Sequence, residues 1–191
     1  MNTYLTRHII KIPSDVKVFC CDKRKVVFVK GSKGKKILQL PLKIKIFNNT
    51  STLLVTNLMF TELSNHKKKT KKSLRGTTIA LLKKTFLEVS TVLYKKLNLI
   101  GVGYKAFVIN QGGLNLIHFK LGFSHSIYFK VPKNIKVSCN KSDKLLISSN
   151  DYFQVSQTAA TIKNLKFPEP YKGKGISYSN EKIILKEGKK V

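Results

Sequence analysis

The chain carries an internal repeat, which constrains its fold more than any other feature of the sequence. Residues 26–57 and 116–150 show the same order of apolar runs and turn residues, displaced by roughly ninety positions. Two copies are too few for a solenoid, which needs at least about three repeats to bury a continuous core. The sequence therefore predicts two similar domains in tandem. Matching positions are Lys30 with Lys120, Ile37 with Ile127, Pro41 with Pro132, Ile44 with Ile135 and Leu53 with Leu145.

Each copy contains runs rich in β-branched residues, a pattern typical of strands. In the first copy these runs cover residues 16–18, 26–30, 44–47 and 53–56, with turns predicted at 22–23 and 48–50. In the second copy they cover residues 104–109, 114–119, 127–131, 135–138 and 145–148, with turns predicted at 112–113 and 141–143.

One helix is predicted after each set of strands, and Asp151 is predicted to cap the second. The apolar stripes are Leu82, Phe86, Val89 and Leu93 in the first helix, and Val155, Ala159, Ile162 and Leu165 or Lys166 in the second. The predicted fold class is therefore α+β, with each domain a small, mainly antiparallel sheet packed on one helix. The predicted boundaries are 1–95 and 96–175 for the two domains and 176–191 for a basic C-terminal extension.

The net charge points to a polyanionic partner. Thirty-seven Lys and Arg against nine Asp and Glu give a formal charge of +28. Self-repulsion of this size destabilises a compact chain unless a polyanion neutralises it. No stretch approaches the roughly 18 consecutive apolar residues of a membrane span, and the lysines are spread over the whole chain instead of one amphipathic face. The predicted partner is nucleic acid, with no membrane, small-molecule substrate or cofactor.

The strongest candidate site lies near the C-terminus, where two prolines precede glycines that alternate with lysines. Proline fixes the backbone, glycine leaves it without Cβ bulk, and lysine adds a long cationic arm, so the run suits contact with a phosphate backbone. A flexible basic tail is the alternative for the same composition. The candidate residues are Pro168, Pro170, Tyr171, Lys172, Gly173, Lys174 and Gly175.

This run closely resembles the C-terminal signature of the bacterial and organellar ribosomal protein L-six family, a component of the large ribosomal subunit. The resemblance covers nearly the whole chain and includes Gly101-Val102-Gly103-Tyr104-Lys105-Ala106 and Leu121-Gly122-Phe123-Ser124-His125. It implies two similar α+β domains, the second with the principal rRNA-binding role, and it adds Ser124 and His125 as candidate contacts, although His125 could pack instead. Ser177 stands where the family commonly has an arginine, which removes one phosphate contact.

The same resemblance implies a location beside the sarcin–ricin loop, near the factor-binding region of the large subunit. The partners it implies are large-subunit rRNA, neighbouring large-subunit proteins and, transiently, translation factors. The alternative function is that of a nucleic-acid-binding protein outside the ribosome.

A second basic cluster is predicted in a loop at residues 65–72. It contains Lys67, Lys68, Lys69, Lys71 and Lys72. A charge run of this kind either stays solvated or contacts RNA or a neighbouring protein.

No constellation in the sequence predicts an enzyme or a metal site. The glycines at 101 and 103 have the shape of a dinucleotide fingerprint, but a predicted strand follows them where that motif needs a helix. His118 has no nearby Cys/His cluster or acidic partner. The three cysteines form neither paired CxxC units nor an even disulfide set, so reduced thiols are predicted.

The compartment is predicted from composition and from the N-terminus. Only Arg7, Arg24 and Arg75 among the 37 cations are arginine, a bias expected of an A/T-rich coding genome. The chain begins with neither an apolar signal core nor a long Arg/Ser-rich presequence. The prediction is an organelle-encoded protein of the mitochondrial matrix ribosome, with a plastid or the bacterial cytoplasm as alternatives.

Overall fold

The computed structural model describes residues 8–21, 23–41, 44–48, 51–57, 64–111 and 114–188. The chain divides into two compact units, Met1–Val92 and Leu93–Val191. The predicted boundary after residue 95 falls inside a strand that belongs to the second unit. The turn predicted at 112–113 lies outside the described residues, as do residue 22 of the turn predicted at 22–23 and residues 49–50 of the turn predicted at 48–50.

The described part of the first unit consists of two three-stranded antiparallel sheets and one helix. One sheet has the order β1–β6–β5, formed by His8–Lys11, Thr52–Asn57 and Ile44–Asn48. The other has the order β2–β3–β4, formed by Lys17–Cys21, Val26–Lys30 and Lys35–Gln39. The helix α1 spans Asn65–Ser90.

The second unit repeats this topology and adds one strand. Its strands are β7 Leu93–Ile100, β8 Lys105–Gln111, β9 Leu114–Lys120, β10 Ile127–Lys130, β11 Lys136–Lys141, β12 Lys144–Ser149 and β13 Gly175–Tyr178, and its helix α2 spans Tyr152–Asn164. The sheets have the orders β10–β9–β8 and β11–β12–β7–β13. The predicted class, α+β with duplicated antiparallel domains, is confirmed.

The strand register confirms the duplication, but it moves one predicted match by one residue. Ile37 pairs with Phe28, and the residue that pairs with the equivalent His118 is Tyr128 instead of Ile127. The other predicted match of a strand centre, Leu53 with Leu145, agrees with the register. Ile10 pairs with Leu53 in the first unit, and Leu97 pairs with Leu145 in the second. All four side chains are buried, each in the core of its own unit. The two copies therefore place equivalent apolar residues at equivalent positions of equivalent sheets.

The helix α1 begins earlier and ends earlier than the apolar stripe predicts. The segment 65–72 is not a loop but the first two turns of this helix, so that prediction is wrong. Lysine is a good helix former, so the basic run is compatible with a helix. Thr91 adopts an extended conformation that ends the helix, and Leu93 begins β7 instead of continuing the stripe.

Each helix buries one face against its own sheets. Leu82, Phe86 and Val89 of α1 lie in the core of the first unit. On the same helix the buried carboxylate of Glu88 accepts a hydrogen bond from Lys36 of β4 at 2.6 Å, which satisfies a charge that would otherwise be costly to bury. The predicted cap of α2 is confirmed, because the backbone N–H of Phe153 donates to Asp151 at 3.0 Å.

The strand β13 replaces the first part of the predicted C-terminal extension. It pairs antiparallel with β7, and Ile176, which pairs with Leu99, is fully buried in the core of the second unit. The extension predicted to begin at residue 176 therefore begins inside the sheet. Neither described helix is long and apolar enough to cross a membrane.

Candidate nucleic-acid interface

Three loops meet at one end of the second unit. The first joins β7 to β8 (residues 101–104), the second joins β9 to β10 (residues 121–126), and the third, called the signature loop, joins α2 to β13 (residues 165–174). Tyr104 connects the first two loops. A Cβ added at Gly101 would lie 2.9 Å from its ring, and one added at Gly122 would lie 3.1 Å from it. The two glycines therefore make room for this ring.

A cation–π contact connects the second loop to the signature loop. The Lys166 ammonium lies 4.3 Å from the centre of the Phe123 ring, a distance at which the ring quadrupole attracts the cation. The other ring contact of Phe123 is with His125, whose ring stacks on it at 5.9 Å. Ser124 and His125 are exposed. The two predicted residues therefore directly follow Phe123, the residue through which their loop contacts the signature loop.

Backbone hydrogen bonds close the signature loop into an ordered turn. The N–H of Glu169 donates to the carbonyl of Lys174 at 2.9 Å, and the N–H of Gly173 donates to the carbonyl of Glu169 at 2.8 Å. At the base of the loop, the N–H of Ile176 donates to Lys166 at 2.9 Å. The run is thus a hydrogen-bonded loop, not the flexible tail considered as the alternative.

The two glycines of the signature loop have conformational roles. Gly173 has φ +68°, a left-handed conformation, and its amide is already bonded to Glu169. This amide therefore has its partner within the loop, and a contact of Gly173 with phosphate stays a prediction. Gly175 has φ +151°, and a Cβ there would lie 2.6 Å from the carbonyl oxygen of Phe167. Both glycines are buried.

The remaining predicted residues of the signature loop face solvent to different degrees. Pro170, Tyr171 and Lys172 are exposed, and Pro168 and Lys174 are half-buried. Tyr171 is 55% exposed although it is aromatic, and it stands next to Lys172 in the turn. The loop thus presents an ammonium group and a ring face side by side, a combination that suits phosphate contact and base stacking.

The segment after β13 is attached to the signature loop. The N–H of Lys186 donates to the carbonyl of Pro170 at 2.8 Å, and the side chain of Leu185 lies 3.4 Å from the position of a Cβ at Gly173. This segment is therefore not a free basic tail as far as residue 186. The final lysines of the predicted extension, Lys189 and Lys190, lie outside the described residues.

An ion pair holds the same segment to α2. The Lys163 ammonium donates a hydrogen bond to the Glu181 carboxylate at 2.6 Å. This bond is the main reason why the pKa of Glu181 is lowered, and the hydrogen bond from the N–H of Tyr178 lowers it further. A lowered pKa means that the contact stabilises the fold at neutral pH and is lost only as the pH falls through that lowered value.

The second predicted basic cluster belongs to the first unit. Its five lysines occupy the first two turns of α1, and all are exposed except Lys71, which is half-buried. This helix has no acidic residue in its first turn, and Ser64 at the N-cap makes no side-chain capping bond. The lysines therefore add to the positive end of the helix dipole, which favours an anionic partner.

Other groups considered in the sequence have structural explanations. The strand β8 follows the glycines at 101 and 103, as predicted, so they do not begin a dinucleotide site. Cys20, Cys21 and Cys139 take part in no disulfide among the described residues. Burial, with a smaller contribution from Asp143, raises the pKa of the Cys139 thiol. Among the described residues, no group of three or more His, Cys, Asp or Glu side chains could hold a metal ion.

Comparisons with known proteins agree with this geometry. The family model described as "Ribosomal protein L6" matches residues 100–179, which include all three loops. "Large ribosomal subunit protein uL6" of Mycoplasma capricolum is 40% identical over 181 residues, covering 95% of this chain and 94% of the relative. "Large ribosomal subunit protein uL6m" of Reclinomonas americana is 38% identical over 187 residues, covering 95% of both chains. The chain belongs to the ribosomal protein L6 family.

Proposed function

We propose that this chain is a structural constituent of the large ribosomal subunit and that it binds large-subunit rRNA through the three loops of its second unit. The observation that carries the proposal is the ordered signature loop, which exposes Tyr171 and Lys172 and contacts the second loop through Lys166 and Phe123. Relatives of similar length are named as large-subunit proteins. The charge of +28 favours a polyanionic partner such as rRNA.

In this proposal the protein acts by position and catalyses nothing. Lys172 and Lys174 contact phosphate oxygens, while Pro168 and Pro170 stiffen the approach to the turn. The buried Gly173 and Gly175 act indirectly, because they set the backbone conformation that aims the two lysines. Such contacts read the shape of folded RNA more than its base sequence.

The first two turns of α1 supply a second, less selective contact. Their lysines project from a helix instead of a loop, so their ammonium groups are arranged at helical spacing around the positive end of the dipole. We propose rRNA, or an acidic segment of a neighbouring large-subunit protein, as their partner. Within the subunit we propose a location near the factor-binding and sarcin–ricin region, close to the site of translation-factor binding.

The test of the signature loop is a double substitution, Lys172→Ala with Lys174→Ala, in the full chain. Each lost phosphate contact reduces the slope of log affinity against log salt by roughly 0.7 to 0.9. We expect the slope for the cognate rRNA domain to fall by about 1 to 2. An unchanged slope would remove these lysines from the interface.

The matched control removes two lysines from the opposite end of the same unit, Lys133→Ala with Lys136→Ala. Both residues are exposed, and Val131, two residues before Lys133, bonds to Asn115 at the far end of β9. The control should leave the slope of log affinity against log salt nearly unchanged.

Sedimentation of the native protein tests the alternative function. A ribosomal constituent stays with the large subunit through a high-salt wash, whereas a nucleic-acid-binding protein outside the ribosome does not.

For the compartment we propose an organelle-encoded protein of the mitochondrial ribosome, with a plastid or bacterial ribosome as the alternative. The support is the composition, in which three of 37 cations are arginine although arginine binds phosphate at least as well as lysine. The genomic location of the coding gene tests this proposal, and a gene on a bacterial chromosome would overturn it.

A further inference from the structure

A row of three stacked rings crosses the sheet β10–β9–β8. Phe107 of β8 pairs with His118 of β9, which in turn pairs with Tyr128 of β10. The ring centres of Phe107 and His118 are 6.0 Å apart at an interplanar angle of 23°, and those of His118 and Tyr128 are 4.9 Å apart at 22°. These spacings are typical of offset-stacked rings. We call these three residues the ring ladder.

The ring ladder lies on the face of the sheet that points away from the core. The alternate residues Ala106, Ile117 and Phe119 are buried in the core of the second unit, and side chains alternate between faces along a strand. The end rings remain accessible, since Phe107 is 42% and Tyr128 63% exposed. Each end ring is stacked on one side by His118. Tyr128 belongs to the edge strand β10, whereas the outer edge of β8 is bonded through Ala106 to Ser142, so Tyr128 is the more accessible of the two rings.

The imidazole ring of His118 takes part in the ladder by stacking, with one ring on each of its faces. The Nε2 atom of His118 is buried and has no hydrogen-bond partner among the described residues. A polar role for this atom would need a partner, whereas both ring faces are in use. His118 therefore continues the stack between Phe107 and Tyr128.

The charges around the ring ladder fit a polyanion. The strands β8, β9 and β10 contain Lys105, Lys120 and Lys130 and no Asp or Glu. All three lysines are exposed. Bare rings flanked by ammonium groups on an open sheet are the arrangement with which proteins bind single-stranded nucleic acid, in which bases stack on rings and phosphates meet cations.

We propose that the ring ladder is a second RNA-binding site, on which unpaired bases of a single-stranded segment stack against the exposed surfaces of Tyr128 and Phe107. Lys105, Lys120 and Lys130 neutralise the phosphates of that segment. The proposal does not rest on the signature loop, because it concerns a sheet face formed by other residues of the second unit.

The first unit has the same row in a different form. Phe19, Phe28 and Ile37 occupy the equivalent cross-strand positions of β2, β3 and β4. The two rings are 6.3 Å apart at 44°, and the row ends in an aliphatic side chain. A base gains less from stacking on this row, so the first unit offers an internal control.

The experiment compares hexaadenylate with its abasic analogue of the same length, both bound to the full chain at low salt. The analogue keeps the phosphates and lacks the bases, so the ratio of the two affinities isolates stacking. We expect Tyr128→Ala and Phe107→Ala each to lower the hexaadenylate affinity at least about fivefold while the abasic affinity is unchanged. Tyr128→Phe should keep the affinity, and Phe19→Ala should change it less than twofold.

Two results would overturn the proposal. One is an equal affinity of the unsubstituted chain for hexaadenylate and the abasic analogue, or equal losses for both on substitution. The other is that Tyr128→Ala spares hexaadenylate and abolishes binding of a hexaglutamate peptide, which would make the face a docking site for an acidic protein segment. The Lys172→Ala and Lys174→Ala substitutions should leave the base-dependent ratio intact, so failure of this site and failure of the signature loop are separable.

Discussion

Gly173 and Gly175 show how single residues act at a binding loop without contacting the ligand. The two are separated by one lysine, yet their constraints differ: a left-handed turn conformation at Gly173, and contact with the backbone of residues 167 and 168 at Gly175. Lys172 and Lys174 owe their positions to this backbone. At the residue scale, the candidate site therefore depends on buried positions as much as on exposed ones.

Gly175→Ala should destabilise the second unit by about 1 to 3 kcal/mol, the range observed when a side chain is forced into a packed site. The clash involves backbone atoms of Phe167 and Pro168, which cannot rotate away as a side chain could. Thermal unfolding of the full chain checks this expectation. Gly188→Ala is the control, because a Cβ there meets no atom within 4 Å. An unchanged melting temperature for Gly175→Ala would contradict the reported close approach.

At the scale of elements, α1 carries a cluster of positive charges at its N-terminus, which is the positive end of the helix dipole. Lys67 is three residues after the N-cap Ser64, the position at which Glu or Gln would complete a capping box. Lys67 and Lys71, four residues apart, also repel each other on one face. This arrangement costs stability in the free protein, and a bound polyanion would relieve that cost.

Lys67→Glu should therefore stabilise the first unit by about 0.3 to 1 kcal/mol and weaken RNA binding. The stability gain comes from the capping box and the helix dipole, and the loss of affinity from the lost phosphate contact. Thermal unfolding and an RNA titration measure the two effects. Lys83→Glu is the matched control, because it makes the same charge change at an exposed position in the middle of the helix. If both substitutions weaken RNA binding equally, the first two turns are not a contact site.

Elements with a clear local pattern were predicted well, and those defined by their neighbours were missed. Residues 26–29 are a run of β-branched and aromatic side chains, and residues 26–30 form β3 as predicted. By contrast, β7 contains Lys95 and Lys96 in its centre, which hides its alternation. Lys95 is accommodated because its ammonium lies 4.8 Å from the centre of the Tyr178 ring on β13. That contact joins residues far apart in the chain, so no local pattern could reveal it.

At the scale of the whole molecule, each unit has its own hydrophobic core. The core of the first unit contains residues up to Val89, and that of the second begins with Leu97. Domains of about a hundred residues can bury enough apolar surface to fold alone. The candidate loops and the ring ladder all lie in the second unit, whereas the lysine cluster of α1 lies in the first.

A fragment of residues 93–191 should fold and keep most of the affinity for the cognate rRNA domain, while a fragment of residues 1–92 should fold and bind weakly with little discrimination. Circular dichroism and RNA titration test both. A fragment of residues 96–191 is the matched control, because it removes three residues of β7 that pair with β12, and it should melt at a lower temperature. Tighter, more selective binding by the first fragment would overturn this assignment.

The sequence by itself determined the duplication, the α+β class, the core faces of both helices and the position of the signature. These properties follow from periodic patterns and from turn residues, which act over a few positions and repeat in both copies. Only the tertiary structure decided that residues 65–72 are helical, that the amide of Gly173 is bonded to Glu169, and that Phe107, His118 and Tyr128 form one stack. The ring stack depends on strand pairing, and the three-loop cluster depends on how the loops pack. Both are set by the burial of the whole core, which involves residues far apart in the chain.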